Sequence, residues 1–188
     1  MSAAAMSEPG GRAWVFGAEV DTDQLVSGAQ MKRPIAEAAR HCLESVDPNF
    51  AAQVAPGDFV IAGDNFGLGS SREQAAEVLR HLGVAAVIAK SFGGIFYRNA
   101  VNLGLLVIRC GHIGRIRAQD RLAVEADAGQ VHNLTRGETY ACEPVPGHLM
   151  AIIRNGGLLP HLEARLNPQR GRSHDRELSD TGQTTCRG

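Results

Sequence analysis

The chain has 188 residues, of which 44% are hydrophobic, enough to form one well-buried core. Nineteen basic residues stand against twenty acidic ones, so the formal net charge of −1 favours neither nucleic acid nor an anionic membrane as a partner. No apolar run reaches membrane-spanning length, and the first ten residues lack the basic start and apolar stretch of a secretory signal. We therefore expect a cytoplasmic protein with a single domain.

The two ends of the chain differ in composition from its middle. Residues 1–12 are mostly small and polar, and residues 167–188 are rich in Arg, Gly, Ser and Thr and lack core-forming side chains. Segments that cannot bury apolar surface do not repay the entropy lost on folding. We predict that both ends are disordered and that residues 13–166 form the domain.

Short apolar strands and amphipathic helices alternate through the first two thirds of the domain. A strand is predicted at 13–20 and a helix at 34–43, with Pro34 in the first turn. The following elements are predicted as strand, helix, strand, helix and strand at 58–62, 71–82, 84–89, 92–103 and 105–108. Near-continuous apolar strands linked by helices are typical of a parallel sheet covered on both faces.

The last third of the domain has a different pattern. Apolar and polar residues alternate around glycine-containing turns, which predicts an antiparallel meander at 121–126, 130–134 and 139–143. A short helix is predicted at 147–154. The fold class is therefore α/β, with a mainly parallel sheet and a β-rich C-terminal extension.

The cysteines do not form a metal-binding pattern. They are widely spaced, with neither a Cys-x-x-Cys pair nor a nearby histidine at ligand spacing, at Cys42, Cys110, Cys142 and Cys186. Most lie in apolar or strand-like surroundings, where free buried thiols are expected. This chain is not expected to hold a metal ion or cluster.

The turn between the strand at 58–62 and the helix at 71–82 is the candidate site. Ser70, followed three residues later by Glu73, fits a capping box that would open the helix at Ser70. Unpaired N–H groups and the helix dipole favour negative charge there, and Arg72 adds a cationic fork suited to carboxylate or phosphate. The structural alternative is that Ser70 and Glu73 only cap the helix and Arg72 is solvated.

The turn belongs to a longer pattern that extends over nearly the whole domain. Its parts are Gly63-x-Asn65-Phe66-Gly67-x-Gly69-Ser70-Ser71-Arg72-Glu73, Val87-Ile88-Ala89-Lys90-Ser91-Phe92, Ile95-Phe96-Tyr97-Arg98-Asn99, Asp21-Thr22-Asp23-Gln24, and segments 133–140 and 156–160. This pattern resembles the 3-isopropylmalate dehydratase small-subunit family, whose members are swivel domains of the aconitase superfamily. The resemblance covers about residues 13–166 and implies an aconitase-type swivelling β/β/α domain.

The resemblance also implies an activity. Members of the family interconvert 2-hydroxy and 3-hydroxy acids by removing and re-adding water, with a [4Fe-4S] cluster as the Lewis acid on a separate large subunit. The chain is accordingly expected to be the small subunit of a hydro-lyase that interconverts 2-isopropylmalate and 3-isopropylmalate in leucine biosynthesis. Its expected partner is a cluster-bearing large subunit, in a heterodimer or heterotetramer.

Residue roles follow from the resemblance at matching positions. Ser70 would be the base that takes the proton next to a carboxylate, and Ser71 and Arg72 would bind the substrate carboxylate. Asp23 matches a position that lines the active site and orients its groups, although an ordinary exposed turn aspartate is the alternative. Further matching positions are interpreted as positioning the Ser70 turn and meeting the large subunit, at Lys90, Ser91, Tyr97, Arg98 and Asn99.

One segment departs from the family pattern. Relatives typically carry Tyr-Leu-Arg in a loop that contacts the variable group of the substrate, where this chain has Gln30-Met31-Lys32 followed by Arg33. Lys32 and Arg33 are the candidate substrate-binding residues of this loop, but a lysine cannot reproduce the bidentate fork of an arginine. The changed loop is explained either by tolerated drift or by another malate-type or tricarboxylic substrate, such as a methyl- or dimethyl-malate or homoaconitate. A separate alternative for the whole chain is a non-catalytic anion-binding module that uses the helix terminus at Ser70.

Overall fold

The fold was analysed in a computed structural model that describes residues 10–166, so the predictions for 1–9 and 167–188 lie outside the described residues. The strands are β1 Gly11–Val15, β2 Phe59–Ala62, β3 Ala86–Ala89, β4 Leu106–Arg109, β5 Arg121–Glu125, β6 Gln130–Asn133 and β7 Glu138–Ala141. The α-helices are α1 Thr22–Leu25, α2 Ile35–Ala38, α3 Phe50–Gln53, α4 Gln74–His81, α5 Gly94–Leu103, α6 Gly147–Arg154 and α7 Leu158–Leu166. Within this range, no helix is long and apolar enough to cross a membrane.

The seven strands form one sheet in the order β4-β3-β2-β1-β5-β6-β7. The four strands from β1 to β4 are parallel, and β5 to β7 are antiparallel. Strand β1 joins the two halves, because it pairs in parallel with β2 on one side and antiparallel with β5 on the other. The predicted α/β fold with a parallel sheet and a β-rich C-terminal part is confirmed, and the meander continues the same sheet.

Each face of the parallel strands packs against its own core. Val60 and Val87 lie in a core shared with the helices, whereas Ile61 and Ile88 lie in a second core with residues of the antiparallel strands, including Leu122 and Val131. Successive side chains of a strand point to opposite faces, so both faces of these short apolar strands are buried. Helices cover one face, and the curled antiparallel half of the sheet covers the other.

The two edge strands of the sheet meet at one end. Glu143, just after β7, donates its backbone N–H to the carbonyl of Arg109, the last residue of β4, at 2.9 Å. A disulfide between Cys110 and Cys142 lies beside this hydrogen bond. The expectation of free buried thiols is therefore wrong for Cys110 and Cys142, which are 32 residues apart in sequence and meet only because the sheet curls; Cys42 is free and buried.

The domain begins earlier than residue 13. Gly11 and Arg12 belong to β1, so the predicted end of the disordered segment at residue 12 is corrected. A Cβ at Gly11 would lie 1.8 Å from the carbonyl oxygen of Gly57, and Arg12 forms an ion pair with Asp58 at 2.9 Å. Contacts with the two residues that precede β2 thus order Gly11 and Arg12, although the composition of this segment alone indicates disorder.

Helix ends are where prediction and structure differ most. The predicted helix at 34–43 is only α2 followed by a 3₁₀ turn at Ala39–His41, because Leu43 leaves the helix with φ of 58° and buries its side chain. Helix α7 was not predicted from the sequence. Pro160 lies in the first turn of α7, where its missing N–H costs no intrahelical hydrogen bond.

Reduction of the Cys110–Cys142 disulfide is expected to lower the free energy of unfolding by about 2–4 kcal/mol, because the bond restricts the unfolded chain. Denaturant unfolding of the isolated chain with and without reductant measures this. The Cys110→Ala/Cys142→Ala double variant is the control and should be insensitive to reductant. Equal midpoints for the oxidised wild type and the double variant would contradict the prediction.

Asp58 should stabilise the fold at neutral pH and lose this effect in acid. Burial alone would raise the pKa of Asp58, but hydrogen bonds from Trp14, Ala55 and Arg12 outweigh it and hold the pKa below the usual 3.8. We expect Asp58→Asn to cost about 2–4 kcal/mol at pH 7, since it leaves a partly buried arginine unpaired.

The pH dependence of this difference follows from its sign. A lowered folded-state pKa means that the stabilisation is complete above the unfolded value of 3.8 and disappears as pH falls through the lower folded value. The stability difference between wild type and Asp58→Asn, measured by urea unfolding at several pH values, should therefore narrow only below about 4. A difference independent of pH would rule out the charge as its source.

Candidate functional site

The candidate site lies at the carboxyl ends of the parallel strands, where open α/β sheets bind ligands. The segments that follow β1 and β2 run side by side there. Four backbone hydrogen bonds join them, from Gly63 to Gly17 at 3.0 Å, Glu19 to Asp64 at 2.7 Å, Gly67 to Val20 at 2.7 Å and Thr22 to Leu68 at 2.9 Å. The segment after β3 joins on the other side, where Phe66 donates to Ser91 at 3.0 Å and Gly93 to Phe66 at 2.9 Å.

Two glycines allow these segments to approach so closely. Gly67 has φ of 74°, and a Cβ there would lie 2.2 Å from the ring of Phe96. A Cβ at Gly93 would lie 2.5 Å from the carbonyl oxygen of Gly67. Phe66, Phe92 and Phe96 pack together beneath the loops. The loop that carries the predicted site residues is thus supported by a rigid aromatic layer.

Ser70 and Ser71 are exposed on this support. The N–H of Ser70 donates to the hydroxyl oxygen of Thr22 at 3.0 Å, and the carbonyl of Ser71 accepts from the side-chain amide of Asn99 at 3.4 Å. The backbone N–H groups of residues 71–74 donate to no other residue within 10–166. The turn therefore combines two exposed serines with a set of backbone N–H groups that have no partner in the described part of the chain.

The predicted capping box at Ser70 and Glu73 is not formed. Helix α4 begins at Gln74, and its N-cap Glu73 makes no side-chain capping bond. Two features account for this: the Ser70 N–H is taken by Thr22, which is distant in sequence, and Gly69 has φ of 113°, which directs the chain away from helical geometry before Ser70. A capping box is present instead in α1, between Asp21 and Gln24.

Arg72 is anchored on α1. Its Nη1 forms an ion pair with Asp23 and donates to the carbonyl of Val26 at 2.9 Å. The Arg72 side chain is 16% exposed and that of Asp23 is 64% exposed. An arginine has five N–H donors, and those on Nε and Nη2 have no acceptor in the described part of the chain. The guanidinium is held in place with donors left for an anion.

Other predicted positions surround this turn. The Ser91 hydroxyl accepts from the N–H of Asn65 at 2.8 Å, and Asn65 has φ of 58°. Lys90 lies 3.9 Å from the carboxylate of Asp64. The ring of Tyr97 faces the guanidinium of Arg109 at 4.9 Å, and Arg98 is exposed. Lys90, Ser91 and Asn99 are thus the residues of this group that contact the turn.

Within the described residues, no hydrogen bond or ion pair joins the loop at 28–34 to the turn. Arg33 pairs with Glu37 at 3.6 Å, and both side chains are about half exposed. Lys32 is exposed, with no ion-pair partner among residues 10–166. Gln30 is only 9% exposed, and within the described residues its Oε1 has no hydrogen-bond donor.

Comparisons with known proteins agree with this geometry. The family model described as "Aconitase C-terminal domain" matches residues 22–113. The "3-isopropylmalate dehydratase small subunit 1" of Archaeoglobus fulgidus is 46% identical over 151 residues, covering 79% of this chain and 93% of that protein. The "Methanogen homoaconitase small subunit" of Methanothermobacter thermautotrophicus is 44% identical over 154 residues, covering 80% and 88% respectively.

A solved structure agrees as well. The crystal structure of 3-isopropylmalate dehydratase from Methanocaldococcus jannaschii superposes with a TM-score of 0.80 at 39% identity, covering 87% of this chain and 98% of that one. The fold, with this turn at the carboxyl ends of its parallel strands, thus defines an aconitase-type swivel domain. The chain belongs to the 3-isopropylmalate dehydratase small-subunit family, which confirms its predicted place among the small subunits of hydro-lyases.

Proposed function

We propose that this chain is the small subunit of a 3-isopropylmalate dehydratase, which interconverts 2-isopropylmalate and 3-isopropylmalate in leucine biosynthesis. One observation carries the proposal: Ser70 and Ser71 stand exposed beside an anchored Arg72 on a turn held by three loop segments. A proton acceptor next to carboxylate-binding donors is what abstraction of a proton beside a carboxylate requires.

Ser70 is the proposed base. A serine hydroxyl has a pKa far above 7, so it acts as a base only where its alkoxide is stabilised. The unpaired N–H groups of residues 71–74 and the Arg72 guanidinium supply positive potential at this place. Ser70 Oγ takes the proton from the carbon next to the substrate carboxylate and returns it in the reverse direction.

Ser71 and Arg72 are the proposed carboxylate ligands. The free Nε and Nη2 donors of Arg72 suit a bidentate contact with a carboxylate, while its Nη1 stays on α1. Asp23 holds the guanidinium in this orientation. A fixed arginine gives a carboxylate one binding geometry, so the carbon that loses its proton comes to a defined position beside Ser70.

A [4Fe-4S] cluster does not fit the described residues of this chain. Cys110 and Cys142 are joined in a disulfide, Cys42 is buried, and residues 10–166 contain no group of three or more His, Cys, Asp or Glu that could hold a metal ion. The cluster is therefore assigned to the partner large subunit, in a heterodimer or heterotetramer. The exposed position of Ser70 and Ser71 suits a site completed by another chain.

The loop at 28–34 is the proposed specificity element. The Arg33–Glu37 pair is solvent-exposed, and such pairs contribute at most about 1 kcal/mol, so it does not prevent Arg33 from turning to a substrate. Lys32 is equally available. A second candidate substrate, homoaconitate, is favoured by one observation: the homoaconitase small subunit is 44% identical, close to the 46% of the isopropylmalate relative.

The experiment that tests the proposed function is a substrate panel. The chain is reconstituted anaerobically with its candidate large subunit and iron–sulfur cluster, and turnover is measured on 2-isopropylmalate, citrate, homocitrate and methylated malates. We expect turnover of 2-isopropylmalate. Turnover of another acid alone would assign the changed loop, Gln30 to Arg33, as the specificity determinant. No turnover in a complex verified by gel filtration would favour the anion-binding module.

Replacement of Ser70 should remove turnover without disturbing the fold. Ser70→Ala is expected to lower kcat by about 10²–10⁴-fold, the usual contribution of a positioned base. Because the side chain is exposed, thermal unfolding and binding to the large subunit should match wild type. The matched control, Ser71→Ala, removes a neighbouring hydroxyl and should act mainly on KM. A Ser70→Ala enzyme with a near-normal kcat would eliminate Ser70 as the base.

A further inference from the structure

Thr22 contacts the turn on both sides of Gly69. Its side chain is 1% exposed, and its hydroxyl oxygen accepts the N–H of Ser70 at 3.0 Å. Its own N–H donates to the carbonyl of Leu68 at 2.9 Å. One residue of α1 thus holds the chain immediately before and immediately after the glycine that leads into the two serines.

The conformation of Gly69 makes this hold necessary. Gly69 has φ of 113°, a conformation that residues with a side chain rarely adopt. Because glycine loses more conformational freedom on folding than any other residue, a turn built on it needs further contacts to stay in one conformation. A Cβ at this position would lie 3.0 Å from the hydroxyl oxygen of Thr22, so the turn packs directly on that oxygen. No other residue within 10–166 accepts the Ser70 N–H. The hydroxyl is therefore the side-chain contact that fixes the Ser70 backbone.

We propose that Thr22 is a positioning residue that sets the place of Ser70, and this inference rests on the proposed role of Ser70 as the base. Asp23, the next residue of α1, pairs with Arg72. The four-residue helix α1 therefore holds the base through Thr22 and the carboxylate ligand Arg72 through Asp23. The relative position of these two groups thus depends on one short helix. A displacement of about 1 Å in such a pair can reduce turnover about 100-fold.

The test uses Thr22→Val, which keeps the shape of the side chain and removes the acceptor, and Thr22→Ser, which keeps the hydroxyl. The control is Thr135→Val, since Thr135 also accepts a backbone N–H through its hydroxyl, from Arg121 at 2.8 Å, but lies in the meander. For the reconstituted enzyme we expect Thr22→Val to lower kcat about 10- to 100-fold with little change in KM. Thr22→Ser should restore kcat, and Thr135→Val should leave it unchanged.

A second readout does not depend on turnover. Amide hydrogen exchange of the peptide spanning residues 66–72, measured on the isolated chain, reports the hold on the Ser70 N–H directly. Loss of one hydrogen bond of about 1 kcal/mol is expected to speed exchange about 5-fold in Thr22→Val and to leave Thr22→Ser close to wild type. If the wild-type complex turned over none of the acids, the proposed function would fail while this measurement still tested Thr22.

Gly69→Ala provides a variant that leaves Thr22 in place. The added Cβ pushes against the Thr22 hydroxyl and disfavours the φ of 113°, so it should reproduce both the faster exchange and the loss of kcat. Wild-type exchange and wild-type kcat in Thr22→Val would overturn the inference. So would a kcat loss in Thr22→Val that Thr22→Ser does not restore, because that loss would come from packing and not from the hydroxyl.

Discussion

The burial of the parallel strands on both faces is the constraint on which the rest of the structure depends. Strands β2 and β3 have four buried residues each, so neither face tolerates water. Helices cover one face, and the other is covered only because β1 pairs with β5 and the sheet turns back over itself. Strand β1 is therefore the element that connects two cores, and its anchoring to Asp58 by Arg12 and Trp14 matters to both.

The same arrangement determines where the chemistry is placed. The carboxyl ends of parallel strands lie at the same end of the sheet. The loops after β1, β2 and β3 therefore meet there and continue to form backbone hydrogen bonds beyond the strands. Residues of α1 and of the turn after β2, 46 to 49 positions apart in sequence, thereby contact one another directly. The serines themselves lie on the outer side of this arrangement and remain exposed.

The sequence predicts correctly those helices and strands that have a strong local pattern of apolar residues. The strands after Asp58 and helix α6 lie within one or two residues of their predicted places, because continuous apolar runs and glycine boundaries are local signals. The turn residues were assigned from their motif, and their roles remain predictions. The predicted Ser70–Glu73 capping box and the predicted free thiols of Cys110 and Cys142 were wrong. These errors share a cause: the partners that decide them, Thr22 for Ser70 and the opposite sheet edge for the cysteines, are distant in sequence. Nothing local in Asp21-Thr22-Asp23-Gln24 distinguished Thr22 from an ordinary helix-start residue.

The meeting of β4 with the end of β7 has a consequence for the two exposed edges of the sheet. Edge strands with unpaired N–H and C=O groups are templates for strand addition and aggregation. The hydrogen bond from Glu143 to Arg109 and the adjacent disulfide join the ends of the two edge strands to each other. Where the two edges meet, backbone groups that could recruit another strand are thus paired within the chain itself.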